Sequence, residues 1–266
     1  MSIFTPLPND TYSLPRAQVL FRRHGTEKWI NLGDVEAFSY TPELTEIERY
    51  GKDSDTRVLR RSDVIQKDAN GSMTLVQMSD VVRGMMFMSD PDSYAAQAEV
   101  TAGTYTITNV EPGGIYRLPA FDVTVTAITD GNETEPVNYV EGTHYKVDRR
   151  TGFIEILAIP EGASGTDAEV TYDAPEVTAT EKRQELGLMQ NNGVRGSLFV
   201  RGQGAVGPND EVELWDCEIR PSGDVQLQGE DDYQQIELSF RVYADGTKPA
   251  GFEYGRIRSI PKTPLA

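Results

Sequence analysis

Along the first hundred residues the apolar positions fall in short runs that alternate with polar ones, not in a helical stripe. "RAQVLFRR" (16–23) and "EKWINLGDVEAFSYTPE" (27–43) read as strands separated by a turn at "HGTE", with Pro42 closing the second. "GSMTLVQM" (71–78) reads as a further strand with Met73 and Leu75 on one face. Between these runs lies "ELTEIERYGKDSDTRVLRRSDVIQK" (43–67), which carries six acids and six bases and shows no sustained alternation. A loop of about 25 residues is uncommon inside a compact domain. The segment is therefore expected to be a long loop, functional or disordered, and its own sequence leaves open what holds it.

"SDVVRGMMFMSDPD" (79–92) predicts the one clear helix. Ser79 can cap it, Asp80 suits the positive end of its dipole, and Asp90-Pro91 stops it. Val81, Val82, Met85, Met86, Phe87 and Met88 leave almost no polar face, so the helix must be covered on more than one side. It is either buried within its own fold or sandwiched between its own sheet and a neighbouring subunit. The adaptable methionines suit the second arrangement, with Val82, Met85, Met86 and Phe87 at the contact.

Residues 120–178 read as a small inserted β module. "FDVTVTAIT", "YKVDRRTGFIEIL" and "AEVTYDAP" alternate with period two, and Arg149-Arg150-Thr151-Gly152 turns the middle run into a hairpin. The chain then returns to strands. Ile236, Leu238, Phe240 and Val242 define one face of a strand, and Gln235, Glu237, Ser239 and Arg241 the other. In "EVELWDCEI" the apolar parity changes from Val212 and Leu214 to Trp215, Cys217 and Ile219, which predicts a one-residue bulge near Leu214. From about Gly251 the tail is Pro-rich and basic and reads as an extended arm.

Composition supports a β-rich chain with a substantial core, since 38% of the residues are hydrophobic and Gly, Thr, Val, Tyr and Pro are plentiful. No apolar run is long enough to span a membrane, and "MSIFTPLPND" lacks the features of a secretory signal. The single Cys217 excludes an internal disulfide and fits synthesis in a reducing cytosol.

Candidate chemistry is sparse. "GQGAVG" (202–207) matches a dinucleotide fingerprint in letters, but β-patterned sequence follows it where a helix is required, so a hairpin loop is expected. His24, His144 and Cys217 cannot make a zinc set, and Cys217 alternates with Trp215 and Ile219 as a buried thiol would. "GEDD" (229–232) lacks the interleaved ligands of a calcium loop, and "NET" (132–134) has no secretory route to glycosylation. No catalytic constellation, metal site or cofactor site is expected.

Charge distribution is more informative. The net charge of −17 argues against holding nucleic acid by its phosphates. From Pro208 to Asp245 there are eleven acids against two bases, whereas 43–67 is neutral and mixed in sign. The contrast points to two surfaces with different roles.

The order of these features resembles the major tail protein, or tail tube protein, of long-tailed non-contractile bacteriophages. The resemblance runs through "NLGDVEAFSYTPELTEIERYGKDSDTRVLRRSDVIQKDANGSMTLVQMS", "DVVRGMMFM", "GGIYRLPAFDVTVTAI", "NYVEGTHYKVDRRTGFIEIL" and "AEVTYDAP". It closes with "GSLFVRG", "EVELWDCEIRPSG" and "DDYQQIELSFRVYAD".

The resemblance implies a mainly β fold: a tail-tube-type β-sandwich with one flanking helix, a long inter-ring loop and an inserted module. Residues 1–119 would be the first part of the tube core, 120–178 an external module, 179–250 the second part of the core and 251–266 a C-terminal arm. Six copies would form a ring and rings would stack into a tube, with Glu46, Glu48, Arg49, Lys52, Arg57, Arg60, Arg61 and Lys67 reaching the adjacent ring. Other partners would be the tape measure protein and the tail terminator and distal tail proteins. Double-stranded DNA would pass through the lumen without specific binding, along a wall of Glu213, Asp216, Glu218 and Glu237. The protein would reside in the virion tail after assembly in the host bacterial cytoplasm. The alternatives are the tube of a contractile tail or injection machine, and a β-sandwich adhesin or carbohydrate-binding module.

Overall fold

A computed structural model describes residues 14–52, 55–132, 134–205, 207–229 and 233–261. The chain opens with strands β1 (Ala17–Arg23), β2 (Ile30–Asn31), β3 (Val35–Tyr50) and β4 (Leu59–Leu75), then helix α1 (Asp80–Met86). Next come β5 (Val100–Ile107), β6 (Ile115–Arg117), β7 (Thr124–Thr129), β8 (Tyr145–Asp148), β9 (Phe153–Ile156) and β10 (Ala168–Ala174). The chain closes with β11 (Val194–Gly202), β12 (Asn209–Pro221), β13 (Ile236–Tyr243) and β14 (Gly255–Ile260). Strands take up 48% of the residues and helix 4%, so the fold is mainly β, and every named strand pair is antiparallel.

The chain divides into two compact units, residues 1–93 with 186–266, and residues 94–185. In the first, one sheet runs β2-β1-β11-β12-β13-β4-β3, and β14 pairs with β12 off this path. Register places Val19 opposite Val200, Phe21 opposite Leu198, Cys217 opposite Val242 and Ile219 opposite Phe240, so the apolar members of successive strands share one face. Gly71 makes that face possible at β4: a Cβ there would lie 2.2 Å from the Phe240 ring and 2.3 Å from the Ser39 carbonyl. Phe38 completes the layer, stacking on Phe240 at 5.2 Å.

Helix α1 caps this core. The Ser79 hydroxyl accepts from the Val82 amide, Asp80 occupies the first turn, and Gly84 lets Pro91 close the C-terminal side, where a Cβ would meet the proline at 2.7 Å. Val82, Met85 and Met86 are buried by the chain's own sheet, and Phe87 packs against the same core. This corrects the expectation that Val82, Met85 and Met86 meet a neighbouring subunit, while Phe87 is half-buried. A short helix with almost no polar face is covered here within its own unit, by the core residues of the sheet.

Other expectations change at their boundaries. The run 27–43 is two strands, because Gly33 (φ +88) turns the chain between β2 and β3. The tail from Gly251 is not only an arm, since β14 lies along β12 from Asn209 to Leu214. The bulge falls where the parity change placed it. Gly196 faces Cys217 and Leu198 faces Leu214, so Ser197 opposes both Trp215 and Asp216. The "GQGAVG" stretch follows β11 and precedes its antiparallel partner β12, as a hairpin connection does. Glu133 and residues 230–232 lie outside the described residues.

The second unit has its own core around Ile107, Val123, Ile128, Ile154, Ile156 and Val170. Its two sheets run β5-β10-β7 and β6-β9-β8. Asp130 organises one end, accepting from the amides of Val137 and Ser164; these bonds, that of Ser164 first, hold its pKa down to about 2. The unit begins well before Ala120, the expected boundary, because β5 pairs with β10 and β6 with β9. In the first unit, the Met88 carbonyl accepts from the Asn191 amide, which keeps the two chain ends flanking the insertion together. Replacing 94–185 by a short Gly/Ser bridge is expected to leave a cooperative thermal transition and strand-rich circular dichroism. Replacing only 120–178 strands β5 and β6 without partners and is expected to give an insoluble chain. Equal solubility of the two deletions would contradict this division.

Candidate assembly surface

The segment 43–67 is not a loop. It is the distal part of a two-stranded ribbon in which β3 pairs with β4 from Val35–Leu75 to Tyr50–Leu59. Only the proximal part is supported by the body, where Ala69–Leu75 pairs with Ile236–Val242. From Glu43 and Asp68 outward, neither strand pairs with any other described strand, and the Tyr254 hydroxyl reaches only the first of these residues, at the Lys67 carbonyl. Sixteen residues of β3 span about 50 Å, so about half of that length runs on past the residues of β4 that pair with β13.

Two features make the ribbon unusual as a free surface. Leu44, Ile47, Tyr50, Val58, Leu59, Val64 and Ile65 are each between 46% and 60% exposed. Register puts Leu44, Val64, Leu59 and Tyr50 on the face that continues the core side of the sheet through Phe38 and Tyr40. An isolated two-stranded hairpin is at best marginally stable in water, and this one exposes its apolar stripe as well. The second feature is charge. Arg49 lies directly opposite Arg61, a like-charge pair that destabilises a lone ribbon, although Asp63 lies 2.5 Å from Arg61.

The expected contact residues come together in part. Glu48, Arg49, Lys52, Arg57 and Arg60 line one crevice at the tip. The Tyr50 hydroxyl donates to Glu48 at 2.6 Å, which raises the tyrosine pKa. Glu46 accepts from the Ser62 hydroxyl farther down, Arg61 lies on the opposite ribbon face, and the Lys67 carbonyl is held by the Tyr254 hydroxyl at 2.9 Å. Between Arg49 and Arg61 five bases stand against two acids, a net of +3 within a chain of −17. The tip is thus a basic point on an acidic protein.

The four acids expected on one wall do share one face, the polar side of the sheet opposite α1. The bulge at Trp215-Asp216 keeps Glu213 in phase with Asp216 and Glu218, and Glu237 alternates with the buried Ile236 and Leu238. A repelling negative wall, however, does not result. Glu213 meets Arg256 at 2.7 Å, Asp216 meets Arg195 at 2.6 Å and Glu218 meets Arg220 at 3.0 Å. Burial acts to raise the Glu218 pKa, but the Tyr243 hydroxyl, Arg220 and Arg195 together outweigh it and hold the carboxyl below its usual value. The acidic balance of 208–245 is a property of the sequence segment. In space, β11 and β14 lay Arg195, Arg201, Arg256 and Arg258 alongside it. Of these four acids, only Glu237 is exposed and has no ion pair among the described residues.

Cys217 is fully buried in the core, and desolvation pushes its thiol up to about 12, so it stays protonated at neutral pH. No described helix is long and apolar enough to cross a membrane, and no described group of His, Cys, Asp or Glu is arranged to hold a metal.

These observations define a mainly β protein of antiparallel sheets with a projecting two-stranded ribbon. The chain belongs to the family described as Protein of unknown function UCP028589, whose model matches residues 18–258. No curated protein matches the sequence.

Glu213 and Glu237 differ sharply despite sharing a face. Glu213→Lys sets a lysine against Arg256 and is expected to cost about 2 kcal/mol of stability. Glu237→Lys is expected to stay within about 0.5 kcal/mol. Chemical denaturation of the two variants measures this, and equal losses would mean the Glu213–Arg256 pair carries no stability.

Proposed function

We propose that the protein is a self-assembling structural subunit, the tail tube protein of a long-tailed bacteriophage. Copies form rings, six to a ring, and the rings stack into the conduit for DNA ejection. The observation that carries the reading is the ribbon of β3 and β4, with its apolar stripe and basic tip. Another copy covers that stripe on assembly, and the −17 charge of the chain offers the tip acidic surface to meet. A projection that binds a different surface of the next copy is a heterologous contact, which propagates into rings or filaments and does not stop at a dimer. The terminal strands of the sheet support the same reading. Among the described strands β3 pairs only with β4, and β2 covers just Leu20 and Phe21 of β1, so both sheet edges offer backbone to a neighbour.

The polar sheet face is the candidate lumen wall. Where its arginines are already engaged by carboxylates, little cation is left to hold phosphate, so DNA slides past a balanced surface and not a repelling one. The tape measure protein and the tail terminator and distal tail proteins are the remaining partners of such a tube.

Electron microscopy of concentrated, purified protein is expected to show rings or tubes. Arg57→Glu, Arg60→Glu and Arg61→Glu together are expected to abolish them while the circular dichroism and melting temperature of the dilute chain stay unchanged. Single particles of monomer size at every concentration would overturn the proposal. Normal tubes from the triple variant would remove the tip from the contact.

A further inference from the structure

The two ends of the first unit's sheet present different surfaces. At the end from which the ribbon leaves, the core side holds an apolar groove of about 560 Å³. Val200, Val212 and Leu214 form its floor, and Tyr40, Tyr254 and Ile257 rise around it, with Tyr40 47% and Ile257 68% exposed. At the opposite end, where Val35 faces Leu75 and Val194 faces Ile219, the turn before β11 projects Leu188 and Met189, 72% and 75% exposed. This turn is held in one shape. The Met189 amide donates to the Phe87 carbonyl and the Asn191 amide to the Met88 carbonyl, each at 2.9 Å. These bonds keep Met189 at φ +56, which a non-glycine residue rarely adopts. Two large apolar side chains are thus fixed together in water, beside each other at one end of the sheet.

We propose that the turn carrying Leu188 and Met189 in one copy seats in the groove of a second copy, head to tail along the strand direction. The inference rests on the reading of the chain as a self-assembling subunit and names the surfaces that meet. Charge complementarity selects the second copy. Asp34, Glu36, Asp224 and Glu237 are exposed at the end that carries the turn, and residues 31–38, 74–82, 186–194 and 221–238 include no lysine or arginine. Arg23 and Arg220, which also reach this end, are paired with Asp90 and Asp92 and with Glu218. The other end carries the ribbon tip, with its net of +3 between Arg49 and Arg61. A copy seated in the groove lies alongside the ribbon, so its acidic end meets the basic tip. Tyr40 belongs both to the groove rim and to the face that continues into the ribbon's apolar stripe, so the two make one continuous surface. Methionine adapts readily to an irregular apolar floor. Turn and groove are different surfaces at opposite ends of one sheet, so the contact is heterologous and repeats from copy to copy.

Thiol-directed cross-linking between two variants of the full chain tests this, since the one native thiol, Cys217, is buried and stays protonated. One protein carries Ile257→Cys in the groove wall, and the other Asn192→Cys, exposed beside the turn. In an equal mixture treated with a short bismaleimide, the 192–257 linked dimer is expected to form about tenfold faster than the 192–192 or 257–257 dimer. Leu188→Asp with Met189→Asp, added to the Asn192→Cys protein, is expected to remove that excess. Its melting temperature is expected to stay unchanged, because both side chains are exposed. Equal rates for the three dimers, no linked dimer, or an excess that survives the two aspartates would each overturn the contact. Normal tubes from the Leu188→Asp, Met189→Asp chain would overturn the contact and leave the tube reading standing. Selective 192–257 linking by a protein that never forms rings or tubes would support the contact and overturn the tube reading.

Discussion

A two-stranded ribbon has no inside. Its side chains alternate between two faces, and unless another layer covers one of them every residue meets water. In this protein β3 and β4 run on past the last strand that supports them, at Ala69 and Val242, and carry Leu44, Val64, Leu59 and Tyr50 outward on the core-facing side. The rest of the first unit is arranged to hold that projection. β13 anchors the proximal half of β4, Phe38 stacks on Phe240 at the root, and Gly71 gives the room for it. Burying the Phe240 side chain contributes about 1.5–3 kcal/mol and fixes the direction in which the ribbon leaves.

Charge follows the same division. On the sheet's polar face Glu213, Asp216 and Glu218 pair with arginines within the chain, and Glu237 is left exposed. The distal ribbon is neutral as a whole, but its charge is unevenly placed. Arg49 and Arg61 oppose each other across the strands, and bases outnumber acids around the tip. An uncovered apolar stripe beside a surplus of positive charge is costly in a lone chain. The helix takes no part, since Val82, Met85 and Met86 are spent on the internal core.

Patterns set by burial on one face could be read from the sequence. The β13 alternation, the Ser79 cap of α1 and the parity change at Trp215 all record contact with a single core and fall where they were expected, whereas α1 ends at Met86, before the expected stop at Asp90-Pro91. The ribbon could not be read this way because both of its faces are exposed, so nothing selects for alternation. Its bulges at Ile65 and Arg60 break what parity remains. The β-favouring Thr41, Thr45, Ile47 and Tyr50 on one side of Gly51, and Val58, Leu59, Val64 and Ile65 on the other, were the signal available. The neutralised wall was invisible for another reason. Arg195 and Arg256 are remote from Asp216 and Glu213 in sequence and meet them only through strand pairing. The inserted unit was bounded too late because β5 and β6 find their partners, β10 and β9, dozens of residues onward.

The central claim is that the distal ribbon is uncovered in the single chain and covered by another copy in the assembly. Amide hydrogen exchange across 43–67, measured on the dilute chain and again on the concentrated, assembled protein, tests it most directly. The account predicts fast exchange in the dilute chain, as expected of a ribbon with no supporting layer, and strong protection after assembly. Protection of 43–67 that is the same in both states would contradict it.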